Sequence, residues 1–516
     1  MKYAATVVTF GCLFALSPAA QAQNCNAAAA ETVVTVPLSG SPFSAIPTSD
    51  GCTIFVSLGG PPGGRIGVLR RAGGALTLAH EVRLPSGSPA GMRLTRDGQV
   101  LAVSNQEGVV LYDAAKLAAG QTPPMTVARS EAPAGRIAGS VYIGISPDDR
   151  LLIVSDEGVQ ALTVYDLPRL RGGDTKAIGR IPVGRAPVGL VFSPDGRTLY
   201  HVSELAAAGA GAADTCRNQD GPPSPQGVLF VIDVAAAAKA PADSIRARVE
   251  AGCDPVRVEL SPDGRRAYVT ARSSNTLEVF DTARLVRDGV KARIASIPVG
   301  IAPVGVAVMP GRIVVGNSNR FAGPGSKLEW LSVIDPDTHQ VIGDIPAGGF
   351  PREMNVTADG RTLLVTNNTS QSLAVISLAG LTPAYFAAQK AAKAADDAVR
   401  AKTAAELQAR IAANQPIPGA EAALRKFIAG LQAGTVDTST IANPQLAGAM
   451  QNNVAQLRKT LQDWGALQSI SFNNVGPQGS DAFNVVFEKQ RTRWNIGMAP
   501  DGRIQNLGFS PLTPGQ

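Results

Sequence analysis

Carboxylates, amides and guanidiniums recur in this chain at one point of a repeating pattern. Asn105 with Glu107, Asp156 with Glu157, Glu204, Arg272, Asn317, Asn319 with Arg320, and Asn367 with Asn368 each follow a short apolar run. Arg185, Asp254 and Arg352 each lie just ahead of one. Carboxylate and amide oxygens suit a hard cation such as Ca²⁺. The same carboxylates mixed with guanidiniums suit a polar ligand held by charge-assisted hydrogen bonds. The plainer alternative is a set of solvated loop residues, because loops are polar by default. Asp156, Glu157, Glu204, Asp254, Arg272, Asn319, Arg320, Arg352 and Asn367 are the ligand-binding candidates. No catalytic residue and no metal-ligand set can be assigned.

What must position these residues is a repeat. Ser193-Pro194-Asp195-Gly196-Arg197-Thr198-Leu199-Tyr200 returns as Ser261-Pro262-Asp263-Gly264-Arg265-Arg266-Ala267-Tyr268. Looser copies stand at Thr48–Gly51, Thr95–Gly98, Ser146–Asp149, Met309–Gly311 and Thr357–Gly360. Pro fixes φ and Gly supplies positive φ, so each copy predicts a tight turn between antiparallel strands. A third strand then ends near Asp, as in Leu229-Phe230-Val231-Ile232-Asp233, and a fourth ends in a phrase such as Ile181-Pro182-Val183-Gly184. Repeats of four short strands close into β-propellers. The last unit, about 350–378, has three strands, and Val33-Val34-Thr35-Val36-Pro37-Leu38 has none of its own. That segment fits as the missing outer strand, which closes the ring and removes an open sheet edge. The expectation is seven blades over about 33–380; six or eight with a frayed end is the competing count.

The Ser-Pro-Asp-Gly turns, Tyr268-Val269-Thr270 and the Val-Ile-Asp strands resemble YVTN-type repeats. These occur in bacterial surface and periplasmic proteins and in lactonase-like seven-bladed propellers. The resemblance covers the propeller region and speaks for architecture more than activity. It implies a lactonase-type hydrolase as one function, through carboxylates or a bound divalent cation. Lactone opening needs a base or metal-bound water and a group that stabilises the oxyanion. Glu157, Glu204, Arg272 and Arg352 would be tested first for those tasks.

Residues 1–22 read as a secretory signal: Lys2, an apolar stretch from Ala4 to Leu16, and Ala20-Gln21-Ala22 as a cleavage site. The apolar run is too short for a retained membrane span. The implied location is periplasmic or secreted. Four cysteines then remain, Cys25, Cys52, Cys216 and Cys253, with three pairings open to them. Propeller topology chooses among these. Cys25 and Cys52 belong to the face carrying the Asp-Gly turns. Cys216, in a long loop between second and third strands, and Cys253, in a loop linking blades, belong to the opposite face. The expected bonds are Cys25–Cys52 and Cys216–Cys253, against four free thiols.

Beyond residue 378 the composition shifts. Thr382-Pro383 opens an Ala-, Lys- and Asp-rich stretch that predicts a helical linker over 382–414. Residues 420–512 predict a small α+β domain: helices over 420–432 and 444–464, then strands over 467–473, 483–488, 492–498 and 504–509. Phe483, Val485 and Phe487 alternate, as do Trp494, Ile496 and Met498, so one sheet face is apolar. Helices followed by a curved antiparallel sheet, with Trp494-Asn495-Ile496-Gly497-Met498 and Asp501-Gly502-Arg503-Ile504, resemble an NTF2-like or cystatin-like module. That resemblance implies a ligand in the cone between sheet and helices, or a contact module.

The whole is mainly β, a seven-bladed β-propeller followed by a helical linker and a small α+β domain. Three histidines, His80, His201 and His339, are too few and too scattered for a copper or zinc cluster. No Cys-x-x-Cys-His, Gly-x-Ser-x-Gly or phosphate loop occurs. A formal charge of +6 over 516 residues, without a basic run, argues against nucleic acid as a partner. The loops at 206–225 and 319–327 depart from the repeat and read as lids or partner-binding segments. The leading expectation is an exported, non-catalytic recognition protein that binds a partner protein, glycan or small molecule at the propeller mouth. It requires no cofactor, although Ca²⁺ fits the candidate oxygens.

Overall fold

The computed structural model describes residues 25, 31–72, 75–209, 213–216, 223–319 and 329–512. The signal reading over 1–22, Arg320, and parts of the two long loops lie outside these residues.

The described strands form eight four-stranded sheets, of which seven are blades. The turn phrase works as a clasp. Ser193 Oγ donates to Asp195 Oδ1 at 2.6 Å, and Asp195 Oδ1 accepts the Arg197 N–H at 3.0 Å. Gly196 supplies φ +70°. Ser261 and Asp263 repeat the hydroxyl–carboxylate contact at 2.6 Å. The serine hydroxyl holds the Asp195 and Asp263 carboxyls below their ordinary range. Val33–Pro37 pairs antiparallel with the third strand of the last blade, Val33 opposite Ile376 and Pro37 opposite Ser372. The ring is therefore closed by its own N-terminal strand. Both expected disulfides form, with Cα–Cα separations of 5.0 Å for Cys25–Cys52 and 5.6 Å for Cys216–Cys253. The first lies at the closure, and the second ties a long loop to the strand linker beside it.

The inner strands are Ser41–Pro47, Met92–Leu94, Ser140–Ile145, Arg185–Phe192, Pro255–Leu260, Pro303–Met309 and Pro351–Val356. Six of them carry a register shift near their start. The backbone kinked there is caught by hydroxyls on the second strands. Thr270 Oγ1 accepts the Arg257 N–H at 3.1 Å and donates to Val304 O of the next blade at 2.9 Å. Thr366 Oγ1 does the same between Glu353 N–H, 3.1 Å, and Phe43 O, 2.9 Å, across the ring closure. Ser57 and Ser104 reach Ala90 O and Val141 O in the same way. These buried hydroxyls set the spacing between blades, and so the position of every side chain that faces the channel.

Past the ring, Thr382 caps a helix over Pro383–Ala413, accepting the Tyr385 N–H at 3.2 Å. This helix is docked, not a free spacer. It runs in the same direction as the outer strand Gln340–Ala347. Phe386 packs over Gly343, Trp330 Nε1 donates to Asp396 Oδ2 at 3.0 Å, and Arg400 approaches Glu329 at 3.7 Å. Trp330 pairs with Pro346 and Glu329 with Ala347, at the end of the strand where blades are linked. The helix thus leaves the ring on the linking-loop face. Ten residues on, about 15 Å along the axis, Arg410 binds Gly479 O and Asp481. The C-terminal module is carried on the same side of the ring as the mouth. It comprises helices Ala420–Ala433 and Pro444–Trp464 over the sheet Leu467–Val475, Asp481–Phe487, Arg491–Met498 and Ile504–Pro511. Phe483, Val485, Phe487, Trp494 and Ile496 form its core with Leu424, Ile428 and Leu431. Trp494 stacks on Phe509 at 4.5 Å, so the space between sheet and helices is filled with side chains.

Candidate functional site

The repeat delivers five charged residues to the linking-loop face. Glu204 lies near the end of the second strand Thr198–Leu205. Glu157 and Arg272 open single 3-10 turns directly after the second strands of their blades. Asp254 and Arg352 stand at the entrances to inner strands. Asp254 adopts φ +49°, with its carbonyl accepting the Arg272 N–H at 3.0 Å.

Arg272 is the hub. Its Nη1 and Nη2 donate to the two Glu204 oxygens at 3.1 and 2.9 Å, a bidentate pair. Asp254 lies 4.0 Å from the same guanidinium and accepts a hydrogen bond from the Ser273 hydroxyl. Arg352 stacks over the Phe43 ring at 4.0 Å and lies 5.4 Å from that of Phe350. The Glu157 N–H donates to Gly139 O at 3.0 Å, but its carboxylate makes no hydrogen bond or ion pair among the described residues. Its carboxyl is pushed up to about 7 by desolvation and by Glu204, against the pull of Arg352 and Arg272. The residue is exposed, so solvent screens part of that effect.

Below the mouth the channel is closed. Arg257 lies over the Tyr142 ring, its guanidinium carbon 3.9 Å from the centroid, and its Nη1 donates to Val256 O at 3.1 Å. Burial lowers its pKa, with Glu353 opposing. Glu353 accepts from Arg93 Nη1 at 3.0 Å and from Ser44 Oγ at 3.1 Å. Glu259, beside them, is pushed up to about 7 by desolvation, with Arg93 opposing. The cavity left among these groups is about 10 Å³, room for about one water.

Four candidates stand apart from this cluster. Asp156 is fully buried inside its blade, where it accepts the hydroxyls of Ser140 and Thr163. Asn367 is also fully buried and reaches Ser372 Oγ at 3.3 Å. Asn319 donates to Glu329, near the docked helix. Arg320 lies outside the described residues. His201, read as packing, is buried between Gly189 O at 3.0 Å and Ser203 Oγ at 3.1 Å, and burial pushes its pKa down to about 3. The channel residues Phe43, Tyr142, Arg257 and Glu353 were not among the candidates. Their signal was charge inside an inner strand, as in Val256-Arg257-Val258-Glu259-Leu260.

Ca²⁺ does not fit the mouth as it is built. Arg272 occupies the space between Glu204 and Asp254, and its charge is already spent on both. Among the described residues no group of three or more His, Cys, Asp or Glu side chains is arranged to hold a metal ion. No helix among them is long and apolar enough to cross a membrane.

Residues 140–285 match the family described as Lactonase, 7-bladed beta-propeller. The ring is a β-propeller, and this segment of it is similar to that family. That segment holds Glu157, Glu204, Asp254 and Arg272, while Arg352 and the C-terminal module fall outside it. No curated protein matches the chain. Among solved structures, Kuenenia stuttgartiensis Hydrazine Synthase is similar at 17% identity, with 67% of this chain and 97% of that chain covered and a TM-score of 0.49.

Proposed function

We propose that this is an exported recognition protein whose propeller mouth binds a polar ligand, borne by a partner protein, a glycan or a small molecule, without turning it over. The observation that carries the reading is the closed channel beneath a charged rim. Arg257 on Tyr142 leaves no depth for a buried substrate, whereas the rim offers one unpartnered carboxylate, Glu157, next to guanidiniums at Arg272 and Arg352. A ligand with hydroxyls or amines would bond to Glu157. The two disulfides support an oxidising compartment outside the cytoplasm.

Glycan and lactone arrays with the purified protein test this. The expected result is retention of a ligand that is lost in Glu157→Gln and Arg352→Ala, with no ring opening of any lactone. Turnover of a lactone would overturn it. One observation favours that second reading, a hydrolase: the Glu157 carboxyl titrates near neutrality, where a general base works best. Under hydrolysis, lactone turnover would fall in Glu157→Gln, and turnover unchanged in Glu204→Ala would remove Glu204 as the base.

A further inference from the structure

The C-terminal module holds a recess of its own, of about 480 Å³, a size typical of small-molecule sites. It opens at the edge of the module's core, whose Phe427 and Ile504 line it. Its walls are one face of the helix Ala420–Ala433, the segment 435–440, and the start of the last strand. Phe427, Val436 and Ile504 give an apolar floor, and Ala423 leaves it open.

The rim has hydrogen-bond donors left over. The Asp437 carboxylate accepts from Ser439 N at 3.2 Å and Ser439 Oγ at 2.5 Å. The Thr440 hydroxyl donates to Asp437 O at 2.7 Å. Lys426 Nζ is 3.9 Å from Asp437, a loose and exposed pair that costs little to displace. Arg503 spends Nε and Nη2 on Asp501 at 2.8 and 2.7 Å, which leaves further N–H groups of its five. An apolar floor beneath surplus cationic donors fits an anion with a hydrocarbon body. We propose that this recess binds a small amphiphilic carboxylate, a medium-chain or aryl acid, with its carboxylate on Lys426 and Arg503 and its body against Phe427, Val436 and Ile504.

The test uses the full chain with methyl-labelled Ile and Val, titrated with sodium octanoate and, separately, with octan-1-ol. Octanoate should shift the Ile504 and Val436 methyl signals, and octan-1-ol should bind at least about tenfold more weakly. Lys426→Gln/Arg503→Gln, a surface change that leaves the core intact, should weaken octanoate by about tenfold or more and leave octan-1-ol unchanged. Ala423→Phe should abolish both. Equal binding of acid and alcohol, an unaltered affinity in the double variant, or octanoate shifts that bypass Ile504 and Val436 would each overturn the proposal.

Discussion

Removing Arg272 tests whether the mouth is held together by its central guanidinium. In Arg272→Ala, Glu204 loses both hydrogen bonds and Asp254 loses its nearest cation. An exposed ion pair is worth about 0–1 kcal/mol, and breaking a buried one costs about 3–5 kcal/mol. The side chains of Arg272 and Glu204 are 11% and 19% exposed. The loss should therefore fall between those limits, at about 2–3 kcal/mol near neutral pH. Much of it is repulsion among Glu157, Glu204 and Asp254 once the cation is gone, and acid discharges carboxylates. The penalty should shrink between about pH 8 and about pH 4. Adding Glu204→Gln should recover part of it, because the stranded charge goes with it. Tryptophan fluorescence is a poor reporter here, since two of the three tryptophans lie in the C-terminal module. Native-state hydrogen exchange in Thr198–Leu205 and Arg266–Ala271 reads the ring directly. A penalty equal at both pH values, or a double variant less stable than Arg272→Ala, would refute the reasoning.

Three further outcomes follow from the same geometry. Thr366→Val removes a fully buried hydroxyl that bonds blade seven to blade one, and should cost about 1–3 kcal/mol; an unchanged unfolding midpoint would show that the hydroxyl relay does not hold the closure. The folded Glu157 pKa of about 7 lies above its unfolded value, so its protonated form favours the fold. That contribution is full below the unfolded pKa and lost as pH rises through about 7. Glu157→Gln should match the wild type near pH 4 and exceed it above neutrality, and a gain of equal size throughout would contradict the assigned cause. Serine at both Cys25 and Cys52 opens a loop spanning 27 residues, worth about 3.5 kcal/mol by chain entropy; exchange should rise first in Val33–Pro37, and uniform loosening would argue against a role at the closure.

The sequence spelled out the ring because its turns are chemically explicit. Each Ser/Thr-x-Asp-Gly copy carries its own hydroxyl–carboxylate clasp and its own positive-φ glycine, as at Ser193–Gly196. The spare strand Val33–Pro37 and the strand missing from the last blade were legible for the same reason, and the topology then paired the cysteines. The site was harder to read. Asp156 and Glu204 each follow a serine, but they differ by one step of the repeat: Asp156 shares its register with Ser203, and Glu204 shares its own with Glu157 and Arg272, so one is fully buried and the other helps to form the mouth. That one-residue step turns the side chain from the blade to the mouth: Ser140 and Thr163 supply hydroxyls to Asp156, whereas Arg272, from the next blade, claims Glu204. Arg257 and Glu353 escaped notice because alternation in an antiparallel strand reads as apolar inside and polar to solvent. In a propeller the polar side of an inner strand faces six other strands across a narrow channel. Whether such charges meet water or one another depends on the distance between blades, which the buried hydroxyls of Ser57, Ser104, Thr270 and Thr366 fix. The closed channel is thus a property of blade spacing, and a substitution that loosened that spacing would open it without touching a charged residue.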